Sequence, residues 1–288
     1  GLAAFGGGED VLTVGEVATE LRGLADAEGE GSQDRKVKRL FTLFNRCSPA
    51  EARYLARIVL AEMRIGVGEG TVRDAIVEAF DVPVEPVERA LQMSNDYGRV
   101  AEVAREEDVE GLAEIRLQVG RPVQSMLAQT GTVAEAIEDW GTVGVEIKYD
   151  GARVQAHYDG EDARLFSRNM EEVTDPLPEI VDFVEERLDA PAIVDGEVVA
   201  VEDGKPRPFQ EVLRRFRRKH DVDRVREEVR LEAHFFDCLH VDGEDLLDCP
   251  LQDRHDRLDD LLSAGVSRLW LETDPEAIEE IEAEALDS

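Results

Sequence analysis

The sequence predicts a two-part fold: an all-α segment followed by an α+β domain with a largely antiparallel sheet. Up to about residue 115 the apolar residues recur at three- and four-residue intervals, the period of a helix face. From about residue 143 the pattern changes to short β-branched runs alternating with polar residues. With 288 residues and 42% hydrophobic content, the chain has enough apolar mass for two cores.

In the first part, helical spacing covers 14–24, a polar loop 28–34 and a further helix 36–46. Ser48, Pro49 and Glu51 then form a helix start: a capping hydroxyl, a proline at the first helical position and an acid in the first turn. That helix is expected to run to about Arg64, and others to begin near Thr71, near Pro86 and at Asp96 or Val100. The character changes at Gly120-Arg121-Pro122, so the boundary is expected at about 120, dividing the chain into 1–120 and 121–288. A short helix over 132–139 precedes strands at 143–147, 154–158, 163–167, 192–201, 231–238 and 267–271. Helices at 177–188, 209–219 and 251–263 lie between them, and an acidic helix spans 275–286.

No run of about 18 apolar residues exists, which excludes a helical membrane span. The chain opens without an initiating Met and reads as lacking a secretory signal. Cys47, Cys238 and Cys249 stand at unrelated spacings and form neither a disulfide framework nor a zinc pattern, which fits a reducing cytoplasm. Net charge is −33. Taken alone, that charge argues against nucleic-acid binding, which needs cations for phosphate contacts. Spread evenly through ordinary helices, with lysine depleted, it instead reads as the solvated surface of a halophile. At molar salt the Debye length falls to about 3 Å, and self-repulsion is screened.

Only five lysines (36, 38, 148, 205, 219) stand against 28 arginines. A composition that prefers arginine so strongly suggests that Lys148 does something arginine cannot, because a lysine amine can lose its proton and attack an electrophile. It sits in Lys148-Tyr149-Asp150-Gly151-Ala152-Arg153, between an apolar run and an alternating stretch. This reads as strand, tight Asp-Gly turn, strand, with the lysine at the turn. Arg153 and a bound metal ion are the cations that would lower its pKa.

Lys-x-Asp-Gly with arginine two residues after the glycine is the nucleotidyltransferase signature of DNA ligases, RNA ligases and mRNA capping enzymes. The string from Glu146 to Gln155 most closely resembles the ATP-dependent DNA ligases of archaea and eukaryotes, here of halophilic archaeal type. The resemblance implies that Lys148 attacks the α-phosphate of ATP and keeps AMP as a phosphoramidate. It assigns Glu146 to the purine, Arg153 to sugar and phosphate, and Arg168, in Leu165-Phe166-Ser167-Arg168-Asn169, to the nucleotide. Glu197, in Ile193-Val194-Asp195-Gly196-Glu197, is assigned to the ribose or a metal-bound water. The motif Phe235-Phe236-Asp237 supplies the ring that stacks on adenine. Phe236 is chosen because it directly precedes the aspartate, whereas Phe235 points to the opposite strand face. ATP and Mg²⁺ or another divalent cation are the implied cofactors.

The helical part resembles the DNA-binding domain of the same ligases, through Gly31-Ser32-Gln33 and Arg64-Ile65-Gly66-Val67-Gly68. There Gly66 and Gly68 would let backbone N–H groups approach duplex phosphates. Arg214, Arg215, Arg217, Arg218 and Lys219 form one basic cluster, a candidate DNA-backbone contact in an acidic chain. No lysine follows Lys219, so the family's downstream lysine blocks and its oligonucleotide-binding barrel are not on this chain. The chain is therefore expected to be the middle of a ligase, missing both ends, and to self-adenylylate poorly by itself. Nicked duplex DNA is the implied partner, with a sliding clamp contacted through regions outside this chain, and the protein is expected to be a monomer without membrane association. Two other readings stay open: an RNA ligase or capping-type transferase, against which the long helical part argues, and a nonenzymatic DNA-binding module.

Overall fold

The computed structural model describes residues 12–25, 27, 31–60, 64–126, 128–202, 204–216 and 229–287. The chain divides into two compact units, 1–71 and 72–288.

The first unit holds α1 (Val14–Ala25), α2 (Ser32–Arg46) and α3 (Pro49–Val59). Helix α2 begins at Ser32, inside the stretch expected as loop, because Gly31 takes a left-handed φ of 73° and turns the chain into the helix. Ser48 caps α3 as expected: its hydroxyl accepts from Glu51 N–H at 3.3 Å and the Glu51 carboxylate accepts from Ser48 N–H at 2.8 Å. Leu43, Cys47, Ala52 and Leu55 form the small core, with Val17 and Leu21 of α1 packed against it.

The second unit takes in most of α4 (Glu69–Phe80), then α5 (Val84–Ser94), α6 (Tyr97–Glu106), α7 (Asp108–Glu114) and α8 (Val133–Trp140). Strands β1 (Val143–Glu146), β2 (Ala152–Tyr158) and β3 (Ala163–Ser167) precede α9 (Pro178–Arg187). Then follow β4 (Ala192–Glu202), β5 (Lys205–Arg207), α10 (Phe209–Phe216), β6 (Arg230–Val241), β7 (Glu244–Asp245), α11 (Leu251–Leu261), β8 (Leu269–Glu272) and α12 (Pro275–Asp287). The central sheet runs β3-β2-β4-β6-β7, with β5 on β4. Every strand pair in it is antiparallel.

One sheet face carries Val154, Ala156, Leu165, Val194, Val198 and Phe235 into a core shared with Ile180 and Val184 of α9 and Leu258 of α11. Each such aliphatic side chain contributes roughly 1.5–3 kcal/mol by leaving water. Ile193 and Leu239 emerge on the other face and join Ile76, Val87, Met93 and Leu112 of the preceding helices. Helix gives way to strand near 120, but packing does not break there, because α5 to α7 share a core with the sheet.

The segment before α8 is tied across β2 by two polar side chains. Gln155 pairs with Val123 as a backbone would, accepting from its N–H at 2.9 Å and donating to its C=O at 2.8 Å. His157 accepts from Gly120 N–H through Nδ1 at 3.0 Å. Burial, with the nearby Arg164 and His240 charges, lowers the His157 pKa from 6.5 to about 3. The unfolded chain therefore takes up a proton that the folded chain refuses, and stability falls as pH drops from 6.5 toward about 3. His157→Gln should flatten that fall by about one proton in denaturant titrations across the window, and an unchanged slope would contradict the assignment.

Arg215, expected as a DNA contact, is buried instead. It is 2% exposed and donates to the carbonyls of Val229 at 3.0 Å and Pro176 at 3.2 Å and to Glu179 Oε2 at 2.8 Å. Its charge neutralises a partly buried carboxylate on α9, which a count of basic residues cannot reveal. Arg215→Ala should cost about 3 kcal/mol of unfolding free energy by denaturant melts, the scale of a broken buried pair. Weakened DNA binding with unchanged stability would show the residue is a surface contact after all.

Candidate active site

The non-core faces of β2, β4 and β6 place charged residues in rows. Arg153 stands opposite Glu197, and Glu197 opposite His234. In the next row Gln155, Asp195 and Asp237 are aligned. Asp195 is 2% exposed and is gripped by Arg153, Nε to Oδ1 at 3.0 Å and Nη2 to Oδ2 at 2.7 Å. Burial raises the Asp195 pKa, and the two Arg153 bonds oppose that rise. Arg254 grips Asp237 the same way, at 2.7 and 3.0 Å.

Beside the first of these rows, at Arg153 and Glu197, lies a cavity of about 1020 Å³. The structure brings Glu146, Lys148, Arg153, Arg168, Glu197 and Phe236 together on its walls. Phe236 sits 5.6 Å from the Arg153 guanidinium, measured to the ring centre, whereas Phe235 is buried in the core below the sheet. Arg168 occupies the turn after β3 and makes no hydrogen bond or ion pair among the described residues; the same holds for Lys148. Burial raises the Glu197 pKa, against the charges of Lys148 and Arg153 and the N–H of Gly151. Glu146 lines the cavity as an exposed residue, and the protein packed around its carboxyl raises its pKa, with the Asp237 charge adding to the rise and those of His255 and Arg254 opposing it.

The expected hairpin around Lys148 does not form. Strand β1 pairs with β8, Val143 opposite Glu272 and Glu146 opposite Leu269, while β2 belongs to the central sheet. Residues 147–151 therefore bridge two sheets. Gly151 is needed for close approach: a Cβ there would lie 2.3 Å from the Val198 carbonyl oxygen and 2.9 Å from Glu197 Cγ. Asp195-Gly196 falls within the strand expected over 192–201. It lies within β4, where a Cβ on Gly196 would meet the His234 carbonyl oxygen at 2.7 Å.

Several wall residues were not foreseen. Phe209, Leu213 and Phe216 of α10 close one side, a spacing of four and three that the sequence carries openly. Tyr149 and Asn169 also line the cavity. Among the described residues no three His, Cys, Asp or Glu side chains converge as a metal site. Of the residues expected to meet DNA, Gly66 and Gly68 are exposed with open space over them, and Arg214 is exposed and paired with Glu211 at 2.6 Å. Arg217, Arg218 and Lys219 lie outside the described residues.

Residues 125–286 match the model of the ATP dependent DNA ligase domain, and residues 7–77 that of the DNA ligase N terminus. The chain belongs to the ATP-dependent DNA ligase family. It is 68% identical to a DNA ligase of Haloarcula marismortui over 293 residues, covering 99% of this chain and 53% of that protein. A DNA ligase of Natronomonas pharaonis is 65% identical over 100% of this chain and 53% of its own length. One from Halobacterium salinarum is 59% identical over 100% and 53%. The chain thus spans about half the length of the curated relatives it matches.

Gly151→Ala should push residues 148–151 off β4, because the obstacle is backbone and cannot rotate away. Hydrogen exchange at residues 148–151 is expected to quicken about tenfold, with no more than about 2 kcal/mol lost in stability. Parent-like exchange would show that the close approach is dispensable.

Proposed function

We propose that this chain carries the nucleotide pocket and covalent lysine of a ligase that seals nicks in duplex DNA between 5′-phosphate and 3′-hydroxyl ends. The observation that carries the reading is Lys148 itself: an amine without a hydrogen-bond or ion-pair partner among the described residues, on the wall of a cavity that also presents two arginines, three glutamates and the Phe236 ring. In this reading Lys148 Nζ attacks the α-phosphorus of ATP. The N–P bond forms, the bond to the bridging oxygen breaks, pyrophosphate leaves and the amine gives up its proton. Arg153 and Arg168 hold nucleotide oxygens, with Arg153 fixed from behind by Asp195. Phe236 offers its face to adenine, a stack worth roughly 1–3 kcal/mol. Glu146 contacts the purine.

A divalent cation, Mg²⁺ by preference, fits Glu197 together with the nucleotide's own phosphates, because Mg²⁺ commonly binds through one or two carboxylates and substrate oxygens. When bound it neutralises developing phosphate charge. Glu197 also contacts the ribose. The part up to residue 120 serves duplex DNA through Gly66 and Gly68, with Arg214 near the basic cluster as a further contact, and the part from 121 serves the nucleotide. The protein acts in the cytoplasm as a monomer, and any sliding-clamp contact lies outside this chain.

Because no lysine follows Lys219, part of the phosphate-neutralising charge is absent from this chain. Incubated with ATP and magnesium, it should gain one AMP slowly and only at Lys148 by intact mass and peptide mapping, and Lys148→Arg should gain none. Rapid quantitative addition, or equal labelling of the variant, would overturn this account.

A further inference from the structure

We propose that Tyr149 and His234 are positioning residues that hold Lys148 toward the cavity, an inference resting on the nucleophilic reading of Lys148. Residues 147–149 have no regular structure and connect β1, paired to β8, with β2 of the central sheet. A connector between two sheets lacks the ladder bonds that would hold its backbone, so the lysine needs other restraint. On one side of it Gly151 lies pressed against the Val198 carbonyl and the Glu197 side chain. On the other, the Tyr149 ring lies flat on the His234 imidazole, with centroids 4.1 Å apart and planes 11° from parallel.

His234 is a firm base for that stack. It stands in the long strand β6 directly opposite Glu197, which is itself opposite Arg153. The ring is half-buried, and burial lowers its pKa, which favours the neutral form over an imidazolium. Tyr149 lines the cavity and His234 does not, so the tyrosine ring forms the wall and the histidine supports it. Because Tyr149 is the next residue, fixing its ring fixes the peptide that carries the Lys148 side chain. Arg153, Glu197 and the lysine are thereby referenced to one row of the same sheet. Displacing a reacting group by about 1 Å can slow its reaction up to about a hundredfold while leaving ligand contacts elsewhere in place.

The test uses the full 288-residue chain and an ATP derivative acylated on its terminal phosphate. Lys148 Nζ attacks the acyl carbon, an amide forms, and the nucleotide leaves with its phosphate while the amine loses a proton. With only five lysines, peptide mapping reads Lys148 against Lys36, Lys38, Lys205 and Lys219 as internal standards. Tyr149→Ala and His234→Ala should cut Lys148 labelling about tenfold, while the ATP concentration that protects Lys148 moves less than about twofold. Tyr149→Phe and His234→Phe, which keep a ring on each side, should label like the parent. Hydrogen exchange at residues 148–151 should quicken about tenfold in the alanine variants only. Parent-like labelling and exchange in Tyr149→Ala would overturn the proposal, as would ATP affinity falling in step with labelling. No ATP-protected labelling in the parent would sink the nucleophilic reading instead, and the exchange comparison would then decide the stack alone.

Discussion

The fork of Arg153 onto Asp195 is the interaction around which the site is arranged. A carboxyl group at 2% exposure in the middle of a sheet is tolerable only with a partner, and Arg153 supplies two hydrogen bonds to it. The cost of burying Asp195 is therefore converted into a fixed guanidinium on the cavity wall. From that point the geometry propagates along the register. Glu197 lies opposite Arg153, Phe236 lies across the guanidinium, and Gly151 brings the Lys148 segment down onto β4 beside Glu197. The neighbouring pair of Arg254 and Asp237 repeats the device one strand over, so neither aspartate is left with an uncompensated charge.

The residues of the site were legible because each stands in a short motif whose chemistry is local. Lys148, Arg153, Arg168, Glu197 and Phe236 could be named from their neighbours in sequence, and they meet at one cavity. Strand partners could not be read this way. An apolar run, Asp-Gly and an alternating stretch are what a hairpin shows, but β1 finds its partner in β8, near the end of the chain, and nothing between residues 143 and 158 encodes that choice. Arg215 failed for the same reason, since its partner Glu179 lies on another helix and the charge count sees only the neighbours of Arg215. Gln155 and His157 alternate with Val154, Ala156 and Tyr158, the pattern of a strand with one wet face. They are buried because the segment around Gly120 and Val123 covers that face.

The acidity of the chain does not extend evenly to its site. Acids outnumber bases two to one overall, 66 to 33. On the cavity wall Lys148, Arg153 and Arg168 balance Glu146, Glu171 and Glu197. In molar salt, with a screening length of about 3 Å, a distant acidic surface neither attracts nor repels a polyanionic ligand to any useful extent. Recognition then falls to groups within contact distance, and the cavity wall carries three cations. A net charge of −33 and a phosphate-binding site are thus compatible: the first acts on solvent and the second within contact distance.

A strand that alternated strictly could not have built this site. Phe235 lies in the core, so the next residue faces the cavity and the one after should return to the core. Instead both Phe236 and Asp237 serve the polar side, Phe236 on the large cavity and Asp237 on Arg254. The register explains how. Gly196 is opposite Phe235 and Asp195 opposite Asp237, so Phe236 is an extra residue without a partner on β4. This is a β-bulge, and bulges re-aim side chains at functional sites. Gly196 makes it possible, since any Cβ there would run into the His234 carbonyl and the Phe235 ring at the point where β6 bends toward β4. The bulge gives the sheet an aromatic platform and a buried acid from consecutive residues of one strand, and Cys238 resumes the core face immediately afterwards. Alternation from Phe235 puts Phe236 on the cavity side, where it lies, but carried one residue further it would misplace Asp237, because period two holds only while strands pair one to one.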